Sequence, residues 1–596
     1  MTKLDSIQGQ WYTVSLHSQA SLLKIAARRS RFHLYVPLVS ACDQPGKRDI
    51  HRTLSDIRIT RRAKVTTLTY TETSALWERK EYTYEFYSDR IVHYYRVFGC
   101  GSIERANFFR SWMEDSTAVE QELGVAPGFD TVFGPAVNFM GKVFHFAGDT
   151  SIITAGDEPM YWGSGLASAP FCFGLNDRGD DLWVWVGLGV RPGEYTFDTF
   201  SYNENTTKRI FGAGGFACNY NGKLHVDGSW ESPHLVLGAA RDPYEGLTKY
   251  VALLEKHYGL SLLRQKKKVP TWWNSPIFCG WGEQMSLGYR DHGNVDGVQV
   301  GKYCTQELHD RWLDILRQHQ IRPGQIIIDA GWERPGSTGD LMVNESRWPD
   351  LRGWIEARRE EGIRTHLWMC AWNRDGVPDD ECITRADGTP VAPDPTNPKH
   401  EHRLRAMVRR LLTDAPSGYS ADGLKIDGQM NCPVGPGLRN TENLWGLELQ
   451  RRFLAIVHDE AKACKPEAMI GTFFANPYLA NLSDVVRTAD QFSIKSSPED
   501  TMRHRARLLS IAMPGCPIDT DHAYWYDLRE NWIDIMRAQL TCGIPCMYHV
   551  QYVWHKRPFC RPYIEEMKDS DYREIRKAFD EQWRRITPCS RRSKSR

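Results

Sequence analysis

Two aspartates combine residue types and positions that can do chemistry. The run Gly-Leu-Lys-Ile-Asp places Asp427 two residues after Lys425, and the run Val-Val-Arg-Thr-Ala-Asp places Asp490 three residues after Arg487. If both runs are strands of one sheet, the two carboxylates lie at the same edge. Such a pair suits retaining glycoside hydrolysis: one carboxylate attacks the anomeric carbon, and the other protonates the leaving oxygen and then activates water.

The flanking cations fit this division of roles. Side chains alternate along a strand, so the Lys425 ammonium shares a face with Asp427, lowers the pKa of that carboxyl and keeps it ionised. Asp490 must be protonated to act as an acid, and the charge of Asp427 nearby would raise its pKa. Arg487, three residues before Asp490, lies on the opposite face of a regular strand and reaches the site only if the strand end twists or opens.

The elements that position these residues fall into two parts. From about residue 8 to 240, short alternating strands are broken by Gly, Asp and Asn turns, which predicts a large antiparallel β-sandwich. Helix-spaced apolar residues then run from Pro243 to Tyr258, and a basic stretch ends at Pro270. We therefore expect an N-terminal β-sandwich over 1–242, a helical linker over 243–270 and a catalytic barrel over 271–590.

Strand–helix alternation after Pro270 predicts a (β/α)8 TIM barrel. The eight strand candidates are Pro276–Trp281, Gln325–Gly331, Ile363–Ala371, Gly423–Gly428, Ala468–Phe474, Val485–Asp490, Leu508–Met513 and Gly543–His549. Helical stretches over 348–361, 401–412, 442–462 and 531–540 fill most of the gaps. No substantial strand-rich segment follows Val553, so the sequence predicts no third, C-terminal β domain.

The carboxyl ends of the barrel strands are where an active site is expected. Polar and aromatic residues at those ends predict one cup that holds carboxylates, two cations and several indoles. These residues are Trp281, Asp329, Trp332, Trp368, Trp372, Lys425, Asp427, Arg487, Asp490, Asp519, Asp521 and His522.

The barrel region, roughly 270 to 550, resembles the α-galactosidase clan of glycoside hydrolases, families 27 and 36, with family 31 more distant. Five elements carry the resemblance. They are the first-strand tryptophan element Phe278–Trp281, the second-strand element Ile327–Trp332, the helix and third strand from Arg347 to Trp368, and the two catalytic strands, Gly423–Gly428 and Arg487–Asp490. The resemblance implies the same fold, a β-sandwich followed by a (β/α)8 barrel.

Carried over by position, the resemblance implies that Asp427 is the nucleophile and Asp490 the general acid and base. Lys425 and Arg487 would bind sugar hydroxyls, and Asp329 would accept hydrogen bonds from hydroxyls at the far side of the ring. Trp281 would wall the pocket. The remaining candidates stay open between two roles: Trp332, Trp368 and Trp372 as pocket walls or core, and Asp521 with His522 as pocket residues or as supports of the seventh loop.

Two departures from the family pattern leave the sugar undefined. The α-galactosidases carry two adjacent aspartates where this chain has Asp329-Ala330, which removes one acceptor for the hydroxyls at C4 and C6. The fifth strand ends in the bulky, apolar run Gly471–Asn476. The expected activity is hydrolysis of a terminal α-linked hexosyl residue. The alternatives are transglycosylation, as in the raffinose-synthase branch, and a catalytically silent carbohydrate-binding protein on the same fold.

The composition limits the classes of molecule that this protein is expected to bind. The chain has 75 Lys+Arg and 74 Asp+Glu, a formal net charge of +1, so no global field favours nucleic acid or an anionic membrane. The N-terminus has no apolar core and no later run approaches a membrane span, so we expect a cytoplasmic protein. The 15 cysteines include no Cys-x-x-Cys pair, and the histidine spacings match no zinc motif. We therefore expect no metal and no cofactor, an oligosaccharide or glycoside as substrate and, from the resemblance alone, a homo-oligomer.

Overall fold

The fold was obtained as a computed structural model. It describes residues 6–17, 21–114, 120–124, 126–129, 131–134, 152–154, 161–165, 170–177, 179–204, 214–261, 269–293, 297–337, 339–473, 475–488, 498–521, 529–555 and 563–587.

The N-terminal part consists of antiparallel sheets, as predicted. The smaller sheet has five strands, in the order Ile7–Gln8, Tyr12–His17, Leu22–Ala27, His33–Pro37 and Ala126–Gly128. Its strands alternate buried and partly exposed residues, which is the pattern of a sheet with one face in the core. That face packs on the larger sheet, where the rings of Tyr12 and Phe86 lie 6.4 Å apart.

The larger sheet has 14 strands and is organised around one strand of 19 residues, Arg90–Phe108. This strand pairs with Arg79–Phe86 and His234–Ala240 near its start and with Gly214–Glu231 further along. The other strands of this sheet are Cys42–Asp43, His51–Leu54, Arg58–Arg62, Val65–Ser74, Thr131–Phe133, Ile152–Thr154, Tyr161–Gly165, Cys172–Asn176, Trp183–Gly189 and Thr199–Glu204. A separate hairpin joins Ser111–Glu114 to Glu120–Leu123.

The C-terminal part is a barrel of eight parallel strands, which confirms the predicted fold class. In chain order, barrel strands one to eight are Ile277–Cys279, Gln325–Ile328, Arg364–Cys370, Gly423–Asp427, Met469–Thr472, Val485–Arg487, Ile518–Asp519 and Cys546–Met547. Each strand pairs with its neighbour in sequence, and strand one pairs with strand eight. A parallel bridge between Asp519 and Ile544 completes the ring between strands seven and eight.

One predicted strand is wrong. Leu508–Met513 was expected to be the seventh strand, but residues 508 to 512 belong to the helix Pro498–Ala512. The actual seventh strand is the two-residue Ile518–Asp519. An apolar run of six residues fits a buried helix face as well as a buried strand, so periodicity alone could not decide.

Helices surround the barrel and connect it to the sandwich. They are Pro243–His257, Trp281–His292, Gly297–Gly301, Gln306–Gln318, Leu351–Glu360, Pro398–Leu412, Gly446–Cys464, Pro498–Ala512, Arg529–Cys542 and Asp569–Ile586. Side-chain caps begin several of them; for example, Asp350 accepts a hydrogen bond from the Gly353 N–H. The C-terminal part also has two short hairpins, Cys382–Thr384 with Pro390–Pro393 and Tyr552–His555 with Tyr563–Glu566. Its 3-10 helices in the described residues are Thr271–Asn274, Asp379–Glu381, Gln429–Asn431 and Pro477–Leu482. No helix in the described part of the chain is long and apolar enough to span a membrane.

The barrel has a separate apolar interior. Alternate strand residues point inward and form their own cluster, which includes Cys279, Ile327, Met469, Val485 and Tyr548, with Trp281 packed against it. The other strand residues, such as Leu424 and Ile426, point outward into the core shared with the helices. Whether a residue faces the interior or the helices therefore decides whether it can contribute to a site at the barrel mouth.

A buried carboxyl fixes the chain after strand eight. Glu283, on the first barrel helix, is fully buried, and its Oε1 accepts the backbone N–H groups of Val550, Gln551 and Tyr552 at 2.6, 2.7 and 3.0 Å. Burial raises the pKa of Glu283 to about 7, and the three N–H donors only partly oppose this. The folded protein therefore holds a proton on Glu283 more tightly than the unfolded chain does.

Glu283 should make stability depend on pH. Because its folded pKa lies above its ordinary value, its contribution to stability is complete at low pH and declines as pH rises from about 4.5 to about 7. Glu283→Gln keeps an acceptor for the N–H groups but cannot ionise. We therefore expect its free energy of unfolding to fall less than that of wild type as pH rises over this range. Urea unfolding of both proteins at several pH values between 4 and 8 measures the difference, with Glu360→Gln on an exposed helix face as the control. Equal pH slopes for wild type and Glu283→Gln would contradict this account.

Candidate active site

Strand four delivers Asp427 to the barrel mouth. Leu424 and Ile426 are fully buried in the outer core, so the alternate residues Lys425 and Asp427 face the interior. The strand ends at Gly428, whose φ of +67° favours glycine and whose added Cβ would lie 2.5 Å from Cys370 Sγ. Sequence and packing thus stop the strand directly after Asp427 and leave its carboxylate at the rim.

The Asp427 carboxylate has one hydrogen-bond donor, one cationic neighbour and an open side. Trp368 Nε1 donates to its Oδ2 at 3.2 Å, and a terminal guanidinium nitrogen of Arg487 lies 3.6 Å from its Oδ1. The side chain remains 35% exposed. Burial by itself would raise the pKa of Asp427, but the charges of Arg487 and Lys425 and the Trp368 N–H outweigh it, so the pKa lies below its ordinary value. Asp427 is therefore an ionised carboxylate that a ligand can reach.

Lys425 lies below Asp427 in an ion pair with strand two. Its Nζ is 2.6 Å from Asp329 Oδ2 and 3.3 Å from the Tyr548 hydroxyl, and the Cys279 thiol donates to the same Asp329 oxygen at 3.1 Å. The side chains of Lys425 and Asp329 are only 6% and 4% exposed. Burial alone would lower the pKa of Lys425, but the charge of Asp329 outweighs it and raises that pKa. The lysine is therefore a permanent buried cation.

Arg487 connects Asp427 to a second carboxylate. Its guanidinium lies 3.6 Å from Asp427 Oδ1 and 3.5 Å from Asp521 Oδ2. Asp521 is buried and also accepts the Tyr548 hydroxyl, while its backbone N–H donates to Asp519 Oδ1 at 2.8 Å. Burial and the charge of Asp521 raise the pKa of Asp519 to about 6. Two cations thus alternate with carboxylates across the floor of the barrel mouth.

The predicted indoles divide between the site and the core. Trp368 donates a hydrogen bond to Asp427, and Trp281 packs against the cluster of apolar residues in the barrel interior. Trp332 is fully buried in the outer core and donates to the Trp368 carbonyl oxygen at 3.0 Å, so of its two expected roles the contacts favour the core. Trp372 also belongs to the outer core, where it packs on Phe453 at 5.3 Å.

Backbone turns explain why these two indoles join the outer core. Trp332 follows Gly331, which has a φ of +104°, and Trp372 itself has a φ of +64°. Left-handed residues interrupt the alternation of side chains along a strand, so counting positions from the strand end cannot decide between the two roles.

Two of the predicted site residues lie outside the described part of the chain. Asp490 falls within 489–497 and His522 within 522–528, so the roles assigned to both stay predictions. Their neighbours Arg487 and Asp521 are described and lie in the site.

Three residues around the site were not predicted from the sequence. Tyr548 and Cys279 both contact the Lys425–Asp329 pair. They could have been found from the same alternation, because both point inward from strands eight and one. Glu333 is a third: it is 8% exposed, folds back to accept the Gly331 N–H at 3.0 Å, and burial raises its pKa. It follows two residues after a glycine turn, where no strand pattern marks it.

Comparison with known proteins supports the fold. No protein-family model and no curated protein sequence matches the chain. The structure is similar to the alpha-N-acetylgalactosaminidase NagBb from Bifidobacterium bifidum, with a TM-score of 0.64 and 11% identity over 98% of this chain and 93% of that chain. It is also similar to the alpha-galactosidase from Lactobacillus brevis, with a TM-score of 0.50 and 12% identity over 97% and 83% of the two chains. At these identities, the expected resemblance is confirmed at the level of the fold.

The Lys425–Asp329 pair should dominate local stability. Lys425→Met leaves a buried carboxylate without its cation, and we expect a loss of about 3–5 kcal/mol in the free energy of unfolding. Adding Asp329→Asn should restore much of that loss, because the uncompensated charge is removed. A double-mutant cycle by urea unfolding measures the coupling, with the exposed pair Arg317 and Asp314 as a control expected below about 1 kcal/mol. Additive effects of the two buried substitutions would contradict the ion pair.

Proposed function

We propose that this protein is a retaining α-glycosidase that removes a terminal α-linked hexosyl residue through a glycosyl-Asp427 intermediate. One observation carries the proposal: Asp427 is an ionised carboxylate at the mouth of the barrel, held by Trp368 and Arg487 and open on one side. The other described carboxylates of the cluster, Asp329, Asp519 and Asp521, are buried and already engaged. Among the described carboxylates of this cluster, these contacts support Asp427 as the one that attacks the anomeric carbon.

In the first step, an Asp427 carboxylate oxygen forms a bond to the anomeric carbon while the bond from that carbon to the leaving oxygen breaks. Asp490 gives its proton to the leaving oxygen, and the aglycone departs as an alcohol. The Trp368 N–H and the Arg487 guanidinium keep Asp427 ionised and fix its orientation before attack. Glycosylation neutralises Asp427.

In the second step, water attacks the anomeric carbon from the side that the aglycone left. Asp490, now a carboxylate, takes the proton of that water, and the bond from the sugar to Asp427 breaks. Two inversions give net retention and return both aspartates to their starting states. A spacing of about 5–5.5 Å between the two carboxyl groups is what this mechanism requires.

The charges around Asp427 suit a neutral polyol. Lys425 and Arg487 are hydrogen-bond donors and Asp329 is an acceptor, and they lie beside each other below the nucleophile. Sugar hydroxyls both donate and accept, so such an alternating floor can bind several of them at once. Ala330 removes one acceptor from this floor, which leaves the identity of the hexose undetermined by these residues.

The two similar structures described above support the proposed class of reaction. One is named as an alpha-N-acetylgalactosaminidase and the other as an alpha-galactosidase. Both names describe cleavage of an α-linked sugar. The shared fold makes the same reaction class a reasonable hypothesis for this chain, and the Asp427 site gives it a chemical basis.

A panel of nitrophenyl α-glycosides tests the proposal. We expect wild type to hydrolyse at least one of them, and Asp427→Asn to lose at least about 10³-fold in kcat because the nucleophile is gone. Azide should restore turnover of Asp427→Asn and give the β-glycosyl azide, since azide then attacks the substrate directly with inversion. Asp314→Asn, on an exposed helix, serves as the control.

The Asp490→Asn variant distinguishes the role of the acid/base from that of the nucleophile. A nitrophenyl group leaves without protonation, so this variant should still form the intermediate, and azide should then give the α-glycosyl azide by a second inversion. If Asp427→Asn gave the α-glycosyl azide and Asp490→Asn the β-glycosyl azide, the roles of nucleophile and acid/base would be reversed. Sugar transfer to an added acceptor, in place of hydrolysis, would favour the transglycosidase alternative. Absence of turnover with every glycoside and acceptor would favour the binding protein.

A further inference from the structure

The segment that follows Asp427 has little regular structure of its own. Residues 428–445 contain one three-residue 3-10 helix, Gln429–Asn431, before the helix Gly446–Cys464 begins. The barrel holds the segment at its start, where the Gln450 side chain donates to the Gln429 carbonyl oxygen at 2.7 Å. Because this segment begins at the residue after Asp427, a shift of the segment moves the end of strand four.

A buried aspartate of the sandwich holds the middle of this segment. Asp198 is 2% exposed, and its Oδ2 accepts the backbone N–H of Gly435 at 2.9 Å. The same oxygen accepts Asn221 Nδ2 at 2.5 Å and Lys223 Nζ at 2.9 Å, and both of these residues belong to the sandwich. One carboxylate therefore joins the two parts of the molecule at the loop after strand four.

The cation that neutralises Asp198 also contacts the end of the segment. Lys223 Nζ lies 4.3 Å from the centre of the Trp445 ring, and the Lys223 carbonyl oxygen accepts the Asn443 side chain at 3.5 Å. The Lys223 side chain is only 5% exposed. Removal of the Asp198 carboxylate would leave this lysine buried without its main partner, so the contact of its ammonium with Trp445 depends on that charge.

A second set of contacts holds the start of the following helix. Glu448 Oε1 accepts the backbone N–H groups of Gly193 and Tyr195, at 2.7 and 3.2 Å, and the Tyr478 hydroxyl at 2.9 Å. The rings of Tyr195 and Tyr478 stack at 4.3 Å. Gly446, with a φ of +65°, packs so closely on the sandwich that an added Cβ would lie 2.6 Å from the Tyr195 carbonyl oxygen.

These contacts form a seam between Tyr195, Asp198 and Lys223 of the sandwich and Gly435, Trp445 and Glu448 of the barrel. We propose that this seam sets the position of Asp427 and so makes the N-terminal sandwich part of the catalytic apparatus. Asp198 and Glu448 are positioning residues that act through the segment and do not touch the substrate. The catalytic part of this inference rests on the proposed function; the structural part does not.

The geometry of Asp427 makes it sensitive to such positioning. Its two partners are at the long end of the contact range, 3.2 Å to Trp368 and 3.6 Å to Arg487. A displacement of about 1 Å can reduce a rate by about 10²-fold, because the attacking oxygen must be aligned with the anomeric carbon. Displacement away from Arg487 would also weaken the charge that holds the pKa of Asp427 down.

The structural half is tested by amide hydrogen exchange in Asp198→Ala. We expect exchange in peptides covering 428–446 to rise by at least about 10-fold, because the Gly435 N–H loses its acceptor. Asp49→Ala is the matched control: Asp49 is a fully buried aspartate paired with the buried Lys80 at 2.6 Å, and the partners the structure gives it lie in the sandwich. It should lose stability without raising exchange in 428–446. Unchanged exchange there in Asp198→Ala would overturn the proposal.

The catalytic half is tested with the glycoside that wild type hydrolyses, at a temperature well below the unfolding midpoint of each variant. Asp198→Ala should lower kcat by about 10- to 100-fold and move the acid limb of the pH profile of kcat/KM to higher pH, while Asp49→Ala does neither. Asp198→Asn keeps an oxygen for the Gly435 N–H and should recover part of both effects. Faster exchange without a change in kcat or in the acid limb would also overturn the proposal. If wild type hydrolyses no α-glycoside, the proposed function fails, and the exchange experiment alone decides whether the sandwich holds the segment.

Discussion

The site depends on the pairing of buried charges inside the barrel. The ammonium of Lys425 and the carboxylate of Asp329 are almost fully buried 2.6 Å apart, and neither charge is tolerable there without the other. Arg487 and Asp521 form a second, longer pair on the other side of Tyr548. Each cation also acts on Asp427 from below, so the charges that stabilise one another in the floor keep the exposed carboxylate ionised.

The barrel provides this arrangement with very short strands. Strands seven and eight have two residues each, and an isolated bridge between Asp519 and Ile544 joins them. Side chains provide hydrogen bonds where these strands have few backbone pairs. Gln539 Oε1 accepts the Thr520 hydroxyl at 2.6 Å and the Cys546 N–H at 2.6 Å. Glu283 does the same for the three N–H groups after strand eight. Buried polar side chains therefore replace backbone pairing where the interior carries Tyr548.

The sequence predicted what depends on local periodicity and failed where the backbone departs from it. The shared face of Lys425 and Asp427 follows from alternation within one regular strand. Arg487 follows the same rule, because it lies two residues after the interior residue Val485 and reaches both Asp427 and Asp521. The two-residue seventh strand has too few residues to show a period, and the left-handed backbone of Trp372 turns its side chain into the outer core. These features are set by tertiary packing, and a single sequence contains no local signal for them.

The seam between sandwich and barrel is the clearest case of information that is absent from local sequence. Asp198 and Gly435 are 237 positions apart, and an aspartate next to a strand is ordinary in any β domain. Its significance comes from the loop that it holds, which begins directly after Asp427. A long irregular loop needs partners that order it, because ordering a residue costs about 1–2 kcal/mol of conformational free energy. Here the barrel holds the loop through Gln450 and Asp394, and a second domain adds a buried charge, a stacked tyrosine and close backbone packing. The role proposed for the sandwich is therefore to support one loop of the barrel through residues more than 200 positions from Asp427 in the chain.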